Sequence, residues 1–71
     1  MRRDVKSRFG NRVRSLRKRA GFTQVEFAEY LGLDRSYIAE IETGKRNPCL
    51  MTMEILAQGF GLSLSHLFSR V

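Results

Sequence analysis

Residues 23–47, TQVEFAEYLGLDRSYIAEIETGKRN, leave room only for short helices joined by a tight turn. Thr23 suits an N-cap and Glu26 stands three positions later, the spacing of a capping box in which each side chain satisfies a free backbone N–H at the helix start. Phe22 before the cap and Phe27 at the fourth helical position fit a hydrophobic staple. Ala28 and Leu31 continue the inward face. Gly32 ends this helix in a left-handed conformation, which a residue without Cβ adopts at no steric cost. Leu33 alone separates it from Asp34, the next N-cap, with Leu33 and Ile38 as a second staple. Ile38 and Ile41 then face inward, whereas Arg35, Ser36, Ala39, Glu40 and Thr43 do not. Gly44 closes the second helix, so the two helices and their turn occupy about residues 23–43.

The flanking chain is helical as well. Val5, Phe9, Val13, Leu16 and Ala20 fall in steps of four, four, three and four, one apolar helical stripe. Arg8, Arg12, Arg14, Lys18 and Arg19 lie off it, and residues 1–4 are expected to fray. Gly10 weakens this helix by about 1 kcal/mol relative to Ala, and Gly21 ends it. After a basic loop, Lys45-Arg46-Asn47-Pro48, a fourth helix is expected from about Leu50 to Gln58, with Leu50, Met53, Leu56 and Ala57 inward. Cys49 is a poorer cap than Ser, so this start is weakly signalled, and Gly59 and Gly61 loosen its end. A short fifth helix spans about Ser63 to Phe68. No strand pattern or repeat competes, so the expected class is all-α, a single domain over residues 1–71.

A chain of 71 residues buries a modest core. Cys49 and His66 each stand alone, which rules out a disulfide staple and a metal-ligand cluster. One Cys and no signal segment point to the cytoplasm, and no apolar run approaches the roughly 18 residues of a membrane span. The net charge of +6 is uneven: residues 1–20 hold nine Lys or Arg against one Asp, residues 21–71 four against six Asp or Glu. A basic end of this kind serves nucleic acid, anionic lipid or plain solvation.

A short helix, a tight turn and a second short helix is the arrangement that enters the major groove of DNA with the start of its second helix toward the bases. The residue types suit that task. Arg35 can make two hydrogen bonds to guanine O6 and N7, Ser36 can bond several base edges, Ala39 lets the helix approach, and Glu40 can accept from cytosine N4. Plainer alternatives stand beside these: Arg35 as a solvated arginine or a partner of Glu40, Ser36 as an aid to the cap, Tyr37 as a ring packed beside the turn. Glu40 is the weakest reader, because phosphates repel a carboxylate.

The words Thr23-Gln24, Glu26-Phe27-Ala28, Leu31-Gly32-Leu33, Ser36-Tyr37-Ile38, Ile41-Glu42, Gly44-Lys45 and Asn47-Pro48 resemble the Cro/repressor-type (XRE) helix-turn-helix family from about Phe9 to Phe68. Leu33 to Ile38 with Arg46-Asn47-Pro48 resemble, within it, the controller proteins of restriction–modification systems. The resemblance implies a compact five-helix, lambda-repressor-like fold and a homodimeric regulator. It implies base contacts by Arg35, Ser36 and Glu40, backbone contacts by Gln24, Tyr37, Lys45, Arg46 and Asn47, and an internal salt bridge between Arg17 and Glu42. Cys49 at a usual Ser, Gly59 at a usual Ala, and Glu40 at a usual amide or small residue depart from the family pattern.

The expected function is therefore sequence-specific binding of double-stranded DNA by a transcription regulator, as a homodimer on a near-palindromic operator. The apolar residues Leu62, Leu64, Leu67 and Phe68 are too many for so short a helix to bury and are expected at the dimer surface. With no second domain for an effector and no cofactor or membrane expected, the input is the protein's own concentration. One rival is an antitoxin that binds a partner protein and autoregulates its operon. Another is a general nucleic-acid or membrane binder acting through the first helix. Neither a nucleophile–base pair nor a phosphate loop supports an enzyme.

Overall fold

The computed structural model describes residues 4–71 as five helices with no strand among them. They are α1 (Val5–Arg19), α2 (Gln24–Leu31), α3 (Arg35–Glu42), α4 (Leu50–Phe60) and α5 (Leu64–Leu67). The fraying expected for residues 1–3 falls outside the described residues. At residue 4 it is not seen: the Asp4 carboxylate accepts from the Ser7 N–H at 2.9 Å and caps α1.

Phe9, Val13, Phe27, Ala28, Ile38, Ile41, Leu56, Ala57 and Leu67 are buried together. Only the middle of the apolar stripe of α1 joins them. Val5 is 56% exposed and Ala20 is also exposed, because the stripe runs past both ends of what α1 packs on. Gly10 repays its helix cost here. A Cβ at this position would overlap the Ile41 carbonyl oxygen and lie 2.7 Å from that of Glu42, so only glycine lets α1 approach the end of α3 this closely.

α4 departs from expectation in two ways. It continues through Gly59 to Phe60, and Gly61, at φ 70°, caps it. Glycine at 59 makes room for Leu31, whose Cδ2 occupies the space a Cβ would fill; the loss of helix propensity is exchanged for contact with α2. Phe60 then stacks on Phe27, with ring centroids 4.7 Å apart. Leu50 is not inward but 68% exposed. The packing stripe is Met53, Leu56, Ala57 and Phe60, and Leu50 lies one turn before it, beyond the core. In keeping with its weak cap signal, the Cys49 side chain makes no capping hydrogen bond. Its thiol instead lies 3.4 Å from the Thr52 hydroxyl, which holds it below its ordinary pKa.

Arg12 lies off the apolar stripe of α1 and is nevertheless buried, 55 residues in sequence from its main partner. Its Nε donates to the Leu67 carbonyl at 3.1 Å, and Nη2 donates to the His66 carbonyl at 2.9 Å and to Ser69 Oγ at 3.1 Å. A one-turn helix leaves its carbonyls without intrahelical partners. The planar guanidinium, with five donors, satisfies several at once. Leu67 is fully buried in the same region, so it is spent inside the protomer and is not available to a dimer surface.

Candidate nucleic-acid interface

Local chemistry builds the turn between α2 and α3. The Thr23 hydroxyl accepts from the Glu26 N–H at 3.1 Å while the Glu26 carboxylate accepts from the Thr23 N–H at 2.8 Å, a closed capping box. Phe22 packs on Phe27 with ring centroids 5.4 Å apart, the staple that sets the entry angle. Gly32 takes φ 73° and ψ 28°, and the Leu33 N–H reaches back to the Ala28 carbonyl at 2.9 Å. Asp34 Oδ1 accepts from both the N–H and the hydroxyl of Ser36, at 3.1 and 3.0 Å. These bonds favour the ionised carboxylate and lower its pKa from the ordinary 3.8.

A buried ion pair fastens α3 at its other end. Arg17 Nε donates to Glu42 Oε2 at 2.6 Å and Nη2 to Oε1 at 3.1 Å, with side-chain exposures of 8% and 2%. Arg17 Nη1 also donates to the Phe22 carbonyl at 2.7 Å. Gln24 Nε2 donates to Glu42 Oε1 at 3.1 Å, tying the start of α2 to the end of α3. One N–H and the carbonyl oxygen of that amide remain for a further partner. Ile38 and Ile41, 0% and 1% exposed, complete the anchored side.

The opposite side of α3 is open. Arg35 is exposed and has no hydrogen bond or ion pair among the described residues. Ser36 is exposed beside it, its hydroxyl proton committed to Asp34 and its oxygen free to accept. Gly44, at φ 78°, turns the chain out of α3 into the loop, where Lys45, Arg46 and Asn47 are exposed and Pro48 is buried.

Three of the expected contact residues meet one another. Arg46 Nε donates to Glu40 Oε1 at 2.7 Å, which holds the guanidinium above its ordinary pKa. The Arg46 guanidinium carbon also lies 5.2 Å from the centre of the Tyr37 ring, inside the range of a cation–π contact. The Tyr37 hydroxyl in turn donates to Thr52 Oγ1 of α4 at 3.3 Å. Glu40 thus pairs with Arg46 and not with Arg35. Thr52 gave no sequence signal, because its partner is brought in only by packing α4 against α3.

Within the basic N-terminal third, Arg12 and Arg17 point inward and are used by the fold, while Arg14, Lys18 and Arg19 remain exposed. No helix among the described residues is long and apolar enough to cross a membrane.

An anchored helix that presents its first turn to solvent beside a basic loop defines a helix-turn-helix DNA-binding protein. The helix-turn-helix family profile matches residues 13–67, and the chain belongs to that family. It is 45% identical over 69 residues to the control protein C.MunI of a Mycoplasma species, covering 96% of this chain and 93% of that protein. It is also similar in structure to the restriction-modification controller protein C.AhdI from Aeromonas hydrophila, at a TM-score of 0.83 and 39% identity, over 87% of this chain and 94% of that one. The restriction-modification controller protein C.Esp1396I, solved as a tetramer in complex with its natural 35 base-pair operator, matches at a TM-score of 0.84 and 28% identity over 96% of this chain and 90% of its own. The chain is a DNA-binding transcription regulator of a family of regulators, not of enzymes. The antitoxin alternative finds no support in these likenesses.

Proposed function

We propose that the protein is a homodimeric, sequence-specific operator-binding regulator of the restriction–modification controller type, acting in the cytoplasm. The observation that carries this reading is the exposed first turn of α3. Arg35 stands there without a partner among the described residues, next to Ser36 and the Lys45–Asn47 loop, while the other side of the helix is locked by Ile38, Ile41 and Glu42. A two-fold dimer would place two such helices in successive major grooves about 34 Å apart, which calls for a near-palindromic operator. Leu62, Leu64 and Phe68 are the remaining candidates for the dimer contact, Phe68 being 38% exposed. Regulation then follows protomer concentration through dimerisation and operator occupancy.

Selection of bound sequences from a random duplex pool tests this directly. The wild-type protein should enrich a near-palindromic site. Arg35→Ala should relax the preference at one base pair by about 1–3 kcal/mol. A uniform loss across all sequences would contradict base reading by Arg35.

A further inference from the structure

We propose that Glu40 and Arg46 read DNA as one unit, an acceptor and a donor held side by side for a G·C base pair. On this view they are not a separate base reader and a separate backbone contact. The inference rests on α3 being the groove-entering helix. Ser36, Glu40 and Thr43 fall at steps of four and three, so they form one stripe along the open side of α3. Glu40 sits four residues beyond Ser36, about 6 Å along the helix axis. That offset is about two base-pair steps at 3.4 Å each, so Glu40 faces a different base pair from the first turn.

The bond between the two side chains leaves the useful atoms unspent. It uses Arg46 Nε and Glu40 Oε1 only. Both terminal nitrogens of Arg46 and the second oxygen of Glu40 are left to bond elsewhere. In the major groove guanine presents acceptors at O6 and N7, and its cytosine partner presents the N4 donor beside them. One base pair therefore offers acceptors to Arg46 and a donor to Glu40 together.

The aim of Arg46 is set from behind. Its guanidinium is held against the Tyr37 ring at 5.2 Å, and Tyr37 is held through its hydroxyl by Thr52, which is 8% exposed. Electrostatics favour the pair over either member alone. A lone carboxylate among phosphates is repelled, whereas the ion pair carries no net charge into the groove. Once the pair is desolvated against DNA, losing either partner strands the other's charge, so the two substitutions should not be additive.

The test is sequence selection from a random duplex pool with the wild type, Glu40→Gln, Arg46→Ala, Arg46→Lys and Glu40→Gln/Arg46→Ala. Both side chains are largely solvent-accessible, 42% and 56% exposed, and thermal melts check that each variant is folded. Glu40→Gln and Arg46→Ala should each relax the preference at the same base pair, by about 5- to 150-fold, the range of a good bidentate contact. The double variant should be no worse than the worse single one. Arg46→Lys, which keeps the charge but not the planar fork, should fail to restore the preference. Relaxation at two different base pairs, unchanged preferences, or rescue by Lys would overturn the inference. So would a Glu40→Gln protein that binds every sequence more tightly, which would mean that Glu40 merely competes with phosphate for Arg46. A wild type that enriches no site would overturn the operator-binding reading itself, a distinguishable result.

Discussion

Replacing Arg17 with Met should remove a large part of the protein's stability. Met fills much of the volume of the arginine stem, so the change isolates the charge and its hydrogen bonds. In the folded protein Glu42, with 2% of its side chain exposed, would keep only the Gln24 amide as a partner. Breaking a buried pair by removing one member costs about 3–5 kcal/mol. A chain of 71 residues has about 4–11 kcal/mol in total, at roughly 0.05–0.15 kcal/mol per residue. The variant should therefore lose about a quarter of its stability at the least, and its melting point should fall by more than about 10 °C, at roughly 4–8 °C per kcal/mol. Urea denaturation at fixed protomer concentration measures this, the concentration being held because dimerisation would add its own stabilisation. Arg17→Met combined with Glu42→Leu should recover most of the loss, since an apolar replacement of both partners leaves no stranded charge. A single-variant loss below about 1 kcal/mol, the value of an exposed pair, would refute the argument. So would a double variant no more stable than Arg17→Met.

Other consequences follow from particular contacts. Arg12→Met should leave the Leu67 carbonyl without its donor and the His66 carbonyl with backbone N–H donors alone, and amide hydrogen exchange should rise at residues 66–71 more than in α2 or α3; uniform exchange would remove the capping role. Sedimentation of Leu64→Asp should show dissociation to protomers, whereas Leu50→Asp, on the exposed start of α4, should not. The reverse result would move the dimer contact to α4. The Asp34 cap contributes stability that is present above the ordinary carboxylate pKa of 3.8 and is lost as pH falls through its lowered value in the folded protein. Asp34→Asn, which caps without ionising, should show a flatter acid limb in a pH-dependent melt, and an unchanged limb would exclude this contribution.

The helix boundaries around the turn were legible in the chain because their causes are local. The capping box at Thr23, the left-handed Gly32 and the Asp34 cap each act within three or four residues, and so does the Phe22–Phe27 staple. The same locality explains why the end of α4 is not legible in the sequence. Gly59 looks like a breaker until Leu31, on another helix, is seen in the space of its missing Cβ. Gly10 likewise reads as a weak point until α1 meets the carbonyls of Ile41 and Glu42. Periodicity placed Leu50 on an inward stripe without revealing where the core ends.

The sequence by itself determined the five short helices, the turn, and which side of α3 is free of core residues. Tertiary structure alone decided which polar groups are spent before any DNA arrives. It closes Arg12 onto α5 across 55 residues, binds Gln24 into the Arg17–Glu42 pair, and buries Leu67. It also joins Thr52, Tyr37, Arg46 and Glu40 into one connected set. The physical reason is range. Backbone capping and helical periodicity act over a few neighbouring residues, whereas a guanidinium or carboxylate takes whichever partner the packed helices bring within about 3 Å.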